Sequence, residues 1–185
     1  MRSFDYEKLA QRKWDSEILS YVAKIHEYKG RQELYIRQKP VELERLVEIA
    51  RVQSTEASNK IEGIVTTNTR IRQLVSDKTA PRNRDEKEIM GYRDVLNTIH
   101  ESYEYIPLTA NYILQLHGML YHYSGRGIGG RFKNVQNYIS ETHADGTTFV
   151  RFTPLEPYET PDAVAAICES YNKAIDDGII DPLLL

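Results

Sequence analysis

Apolar residues recur at steps of three and four along most of the chain up to Tyr123. From Trp14 the positions Ile18, Val22, Ile25 and Tyr28 form one stripe, with Tyr21 beside it. That period predicts an amphipathic helix, and Gly30 is expected to close it. Pro40 suits the first position of a second helix, because it lacks the N–H that has no partner there. Leu43, Leu46, Val47 and Ala50 carry its stripe, which either runs on through Ala57 to Ile61 or breaks near Ser54 and Thr55. Gly63 is the expected stop. A short helix follows from about Asn68 to Ser76, then a polar linker, KTAPRNR, from Lys78 to Arg84. Asp85 then caps a further helix, with Glu88 reaching back in a capping box. Its stripe is Ile89, Tyr92, Leu96, Ile99 and Tyr103. Pro107 ends it, and Thr109 caps the next helix, with Ile113, Leu116, Leu120 and Tyr123 on its apolar face.

After Tyr123 the pattern changes. Gly125 to Gly130 is a glycine-rich loop. Two β-prone runs, VQNYI and FVRF, then flank ETHADGTT. Asp145-Gly146 is a hairpin-turn dipeptide. A lone hairpin is marginal unless it packs on something. It either covers a helical core through Tyr138, Ile139, Phe149 and Phe152, or it leaves a free edge for an extended peptide. Thr160 and Pro161 open a last helix with Val164, Ile167, Tyr171 and Ile175, closed by Gly178. The expected fold class is mainly α, a helical domain with one inserted β-hairpin.

Composition narrows the function classes. Hydrophobic residues make up 41% of 185 and charged residues 28%, ordinary globular usage. A net charge of -3 lacks the basic excess of an electrostatic nucleic-acid binder, so no nucleic-acid partner is expected. One cysteine, Cys168, excludes an intramolecular disulfide framework and a multi-cysteine zinc site. It sits within the stripe of the last helix and is expected to be buried. There is no apolar run after the N-terminal charges and no stretch near the ~18 apolar residues of a membrane span. A cytoplasmic protein without a membrane partner is expected. The loop Gly125-Arg126-Gly127-Ile128-Gly129-Gly130 contains G-x-G-x-x-G. A helix precedes it and a strand follows, the wrong order for a dinucleotide cradle, so it reads as a connector. His117 and His122 fall about 140° apart on a helix. No metal site is expected, and His117 reads as packed or hydrogen-bonded.

STEASNKIEG, Ser54 to Gly63, carries more information. On a helix Ser58 and Glu62 lie about 40° apart, so their side chains can meet. Glu62 falls in the last turn, where the helix dipole disfavours a carboxylate by a few tenths of a kcal/mol. It would gain from a cationic partner, although spacing alone is equally met by an exposed, idle Glu.

These segments together resemble the N-terminal part of Fic-domain proteins. SNKIEG is similar to the family's inhibitory-helix motif, Ser/Thr-x-x-x-Glu-Gly/Asn, through Ser58, Glu62 and Gly63. EIMGYRDVLNTI and TANYILQLHGMLYHY, with Leu116-His117, resemble the first helices of the Fic core. GGRFKNVQNYI and FVRFTPLEP resemble its strand-turn-strand flap, and TPDAVAAICESYNKAI the helix after it. On this likeness residues 1–80 are a helical N-terminal region with an inhibitory helix, and 81–185 the first part of a Fic-like core. The resemblance implies protein AMPylation, the transfer of AMP from ATP to a hydroxyl side chain of a target protein, with magnesium. It implies that the flap, here Tyr138, Ile139, Phe149 and Val150, docks the target by main-chain pairing. It also implies that Glu62 inhibits by pairing with an arginine that would otherwise hold the ATP γ-phosphate. In some relatives the same Glu helps to remove AMP. The family's catalytic loop, H-x-F-x-D/N-G-N-G-R-x-x-R, is not in this sequence. Asp181, Pro182 and Leu183 to Leu185 read as a helix opening, so the sequence is expected to break off just before that loop. This chain alone is then expected to be inactive and to bind ATP and magnesium weakly at most. A homo-oligomer is compatible with the pattern. The alternative is a non-enzymatic helical protein-protein interaction module.

Overall fold

The computed structural model describes residues 6–38, 40–64, 66–76, 78–125 and 127–185. Among them it is mainly helical, with one two-stranded antiparallel sheet. The α-helices are α1 Glu7–Ala10, α2 Ser16–Gln38, α3 Pro40–Ile61, α4 Asn68–Val75, α5 Arg84–Ser102, α6 Ala110–Leu120 and α7 Thr160–Asp177. Strands β1 Ile139–Thr142 and β2 Thr148–Phe152 lie between α6 and α7. The chain divides into two compact units. One comprises Gln11–Ile106 with Gly118–Gly129, and the other Met1–Ala10, Pro107–His117 and Gly130–Leu185.

The first unit has its core where α4 and α5 meet. Leu74, Ile89 and Met90 are buried, with Ile64 and Tyr123 packed against them. Gly91 lets the chain at Leu120 come close, since a Cβ there would stand 2.0 Å from the Leu120 carbonyl oxygen. Arg70 and Glu86 form a buried, two-pronged ion pair, Nε and Nη2 each 2.8 Å from a carboxylate oxygen. Arg70 also donates to the Thr79 hydroxyl and the Ala80 carbonyl, and the Arg82 N–H donates to Glu86. Every polar atom of this pair is thereby given a partner, as a desolvated charge requires. The hydrogen bond from Arg70 lowers the Glu86 carboxyl from 4.5 to about 2.

Two sequence expectations change here, at α2 and at the α5 cap, and one left open, at α3, is decided. α2 does not close at Gly30 but runs through it to Gln38. Glycine costs only about 1 kcal/mol inside a helix, and RQELYIRQ after it supplies good helix formers. α3 does not break at Ser54 and Thr55. The α5 cap is Asn83, whose side chain accepts the Glu86 N–H at 2.9 Å, and not Asp85. Glu88 bonds Arg84 at 2.7 Å instead of reaching back.

In the second unit α7 buries Ala163 and Cys168, as expected for the cysteine, and Ile180 is buried beyond the helix. Gly178 closes α7 at a left-handed φ of 63°. The Tyr6 ring meets Tyr171 edge-on at 5.9 Å, and the Asn172 amide donates to the Leu108 carbonyl at 2.9 Å. His117 accepts the Gly130 N–H at 3.1 Å, the hydrogen-bonded role expected of it.

The hairpin departs from expectation at both ends. β1 begins at Ile139, so most of VQNYI, Tyr138 included, precedes the strand. Asp145-Gly146 belongs to a five-residue connection from His143 to Thr147. There the Gly146 N–H donates to the His143 carbonyl and Gly146 takes a φ of 85°. A bulge lies in β2 opposite the step from Ile139 to Ser140, since Ile139 pairs with Phe152 and Ser140 with Val150. Tyr138, Ile139, Phe149 and Phe152 are all exposed, so they do not cover a core.

Candidate functional site

The end of α3 is held in place from several sides. The Ser58 hydroxyl lies 2.8 Å from the Tyr92 hydroxyl of α5. Asn59, buried, donates its amide to the Thr55 carbonyl at 2.8 Å. The Glu62 N–H donates to the Asn59 carbonyl, as does the Ile64 N–H at 2.9 Å, and the Gly63 N–H donates to Lys60. Gly63 takes a φ of 77°, a conformation that favours glycine, so the helix stop falls where the sequence placed it.

Glu62 thus sits at a fixed helix terminus, exposed to solvent. It lines a cleft of about 500 Å³ with Ser58, Arg84, Glu88, Tyr92 and Tyr121. Ser58 turns to Tyr92, so the expected meeting of Ser58 with Glu62 is replaced by a contact between helices. Arg84, the cation of the cleft, is bonded to Glu88, which raises its pKa. Among the described residues the Glu62 carboxylate has no hydrogen bond or ion pair. Tyr92 was legible only as a stripe residue. A tyrosine facing a helix still needs a partner for its hydroxyl, and that need was the available signal.

The second candidate region is the hairpin. Ile139, Phe149 and Val150 lie in its strands, and Tyr138 just before them. Among the described residues the sheet has two strands, so each strand pairs with the other along one edge. The tip is fixed by Asp145, whose carboxylate accepts the Thr147 N–H at 2.9 Å and the Thr147 hydroxyl at 2.7 Å, and these bonds lower its pKa. The base is tied by Lys133, which donates to Gln136 and to the Leu155 carbonyl, and by Gln136, which donates to the Pro154 carbonyl at 3.0 Å. Sequence reading missed these base contacts. Those to Pro154 and Leu155 join residues about twenty apart and leave no periodic trace.

In the glycine-rich loop Gly125, Gly127 and Gly130 all take left-handed φ values, which fits a connector. Arg126 lies outside the described residues. Among the described residues no group of three His, Cys, Asp or Glu side chains is gathered to hold a metal ion. The magnesium ligands implied by the resemblance belong to a loop that is not in this sequence, so no magnesium site can be assigned to these residues. No described helix is long and apolar enough to cross a membrane. No protein-family model matches the chain, and no curated protein matches it.

Proposed function

We propose that this chain is the regulatory and target-docking part of a Fic-like protein adenylyltransferase. The observation that carries the reading is the uncommitted carboxylate of Glu62 on a helix end anchored by Ser58 and Tyr92. A carboxylate fixed at the negative end of a helix favours a cation brought to it. On this reading that cation is an arginine of the catalytic loop. Glu62 draws it away from the ATP γ-phosphate, and ATP then lies in an unreactive pose. The hairpin supplies the docking half. The outer edge of β1 offers main-chain N–H and C=O groups to an extended segment of a target protein, with Tyr138, Ile139, Phe149 and Val150 exposed on the hairpin. ATP and magnesium serve the complete enzyme. No chemical step falls to the residues of this chain, because the general-base histidine and the metal-binding acid belong to the loop it does not contain.

The test uses the product of the complete coding sequence with labelled ATP and magnesium. Glu62→Gly is expected to raise AMP incorporation roughly tenfold or more, the scale of a regulatory coupling. An unchanged rate removes the inhibitory role. If neither form incorporates AMP while the hairpin still captures extended peptides, the chain is a non-enzymatic interaction module. The exposed hairpin face is the observation that favours that second reading.

A further inference from the structure

We infer that the cavity between the 78–84 linker, the start of α5 and Tyr121 binds a phosphate dianion, free or as the ester of a small molecule. The cavity measures about 300 Å³, and its walls include Arg82, Arg84, Lys87, Glu88, Tyr121 and Ser124. That volume stands at the low end for small-molecule sites. It adjoins the Glu62 cleft and shares Arg84, Glu88 and Tyr121 with it.

Charge selects the ligand. Three cations and one carboxylate line this space, in a chain whose net charge is -3. Arg84 is committed to Glu88, its Nε 2.7 Å from the carboxylate. Among the described residues the Arg82 guanidinium and the Lys87 ammonium have no hydrogen bond or ion pair. The neighbouring carboxylates do not offset them. Glu86 is buried against Arg70, and Asp85 is not part of the cavity wall. Two positive charges are thus left beside one cavity. Like charges brought together repel, and a dianion relieves both at once. A phosphate also offers several acceptor oxygens to guanidinium and ammonium donors.

The linker that carries Arg82 is held from within. Arg70, buried, donates to the Thr79 hydroxyl and the Ala80 carbonyl, and Pro81 fixes its own φ. The Arg82 N–H donates to Glu86 at 2.7 Å, and the Asn83 side chain caps α5. The backbone at both cations is therefore set before a ligand arrives, which lowers the ordering cost of binding. The inference does not rest on the AMP-transfer reading.

NMR titration of the nitrogen-15-labelled 185-residue chain with inorganic phosphate tests it, at about pH 8, where most phosphate is the dianion. Sodium chloride of equal ionic strength is the reference. Shifts are expected at the amides of Arg82 to Lys87 and Tyr121 to Ser124, with a dissociation constant on the order of 1 mM. Arg82→Gln combined with Lys87→Gln is expected to weaken binding roughly tenfold or more, the scale of losing a charge-assisted hydrogen bond. Both side chains are exposed, and the Arg82 N–H that meets Glu86 is main chain, so the variant keeps its fold. Lys24→Gln combined with Lys29→Gln, exposed on α2, removes the same charge elsewhere and should bind as the parent does. No effect beyond that of sodium chloride, a variant at Arg82 and Lys87 that binds unchanged, or an equal loss in the α2 variant would each overturn the proposal. AMP separates the two sources of the group. Tighter binding than inorganic phosphate assigns an organic ester, equal or weaker binding assigns free phosphate, and either upholds the site.

Discussion

Arg70 and Glu86 form an ion pair inside the core around α4 and α5, and Arg151 and Glu141 form one on the hairpin. The side chains of the first pair are 8% and 5% exposed, and those of the second 68% and 42%. Around Arg70 and Glu86 each further donor and acceptor is matched, by Thr79, Ala80 and Arg82. Around Arg151 and Glu141 water can do the same work. A buried pair leaves an uncompensated charge when one member is removed, whereas an exposed pair contributes little. The comparison separates two ways of holding a shape. The α4–α5 region is fixed by bonds that cost a great deal to break. The hairpin is fixed by exposed bonds that cost little to break, those at its tip within a few residues of one another.

The largest expected effect comes from breaking the buried pair. Glu86→Ala should lower stability by about 3 kcal/mol, the low end for removing one partner of such a pair, read from the midpoint of urea unfolding. The same residue sets an acid limit. The carboxyl stands at about 2 in the folded chain against an ordinary 4.5. Because the folded value is the lower one, the contribution is fully present above about pH 4.5 and is lost as pH falls toward 2. The Glu86→Ala variant should lack this part of the acid dependence. A variant as stable as the parent at neutral pH, with the same acid profile, would erase the contrast between core and hairpin.

Gly91→Ala should come next. Alanine would improve the helix by about 1 kcal/mol on propensity alone. Its Cβ would meet the Leu120 carbonyl oxygen at 2.0 Å, and backbone cannot swing aside as a side-chain tip can. Overpacking costs about 1–3 kcal/mol, and a backbone clash belongs at or above the top of that range. A net loss of about 2 kcal/mol is expected in the same titration, and a gain in stability would show that α5 can shift freely.

The same contrast explains what could be read from the sequence. The hairpin was legible because Asp145, Gly146 and Thr147 act within a few residues of one another. The helices were legible from their period, and the stop at Gly63 from its glycine. Partners far apart in sequence were not. A stripe says which face a residue takes and nothing about what stands opposite. Ser58 with Tyr92, and Arg70 with Glu86, join different helices. The α5 cap was misread for a related reason. Asn83 and Asp85 both suit a cap, and the choice falls to Asn83, whose register puts Glu86 within reach of Arg70. The stripe of α2 likewise announced an amphipathic helix, and only the structure shows that much of it is left uncovered.

The smallest effect is expected at the hairpin tip. Asp145→Ala removes two hydrogen bonds to Thr147, in a turn whose residues are exposed throughout. Nothing buried is orphaned, because water replaces the carboxylate. The turn keeps Gly146 and its bond to His143, so the strands retain their register. The urea midpoint should not move. Hydrogen exchange at the Thr147 amide should speed up several-fold, since that N–H loses the Asp145 carboxylate as its acceptor. Local opening without global loss is the behaviour of an element held by its own short-range bonds. If the global midpoint fell as well, the hairpin would be coupled to a core. Its edges would then be less available to an incoming strand than their exposure implies.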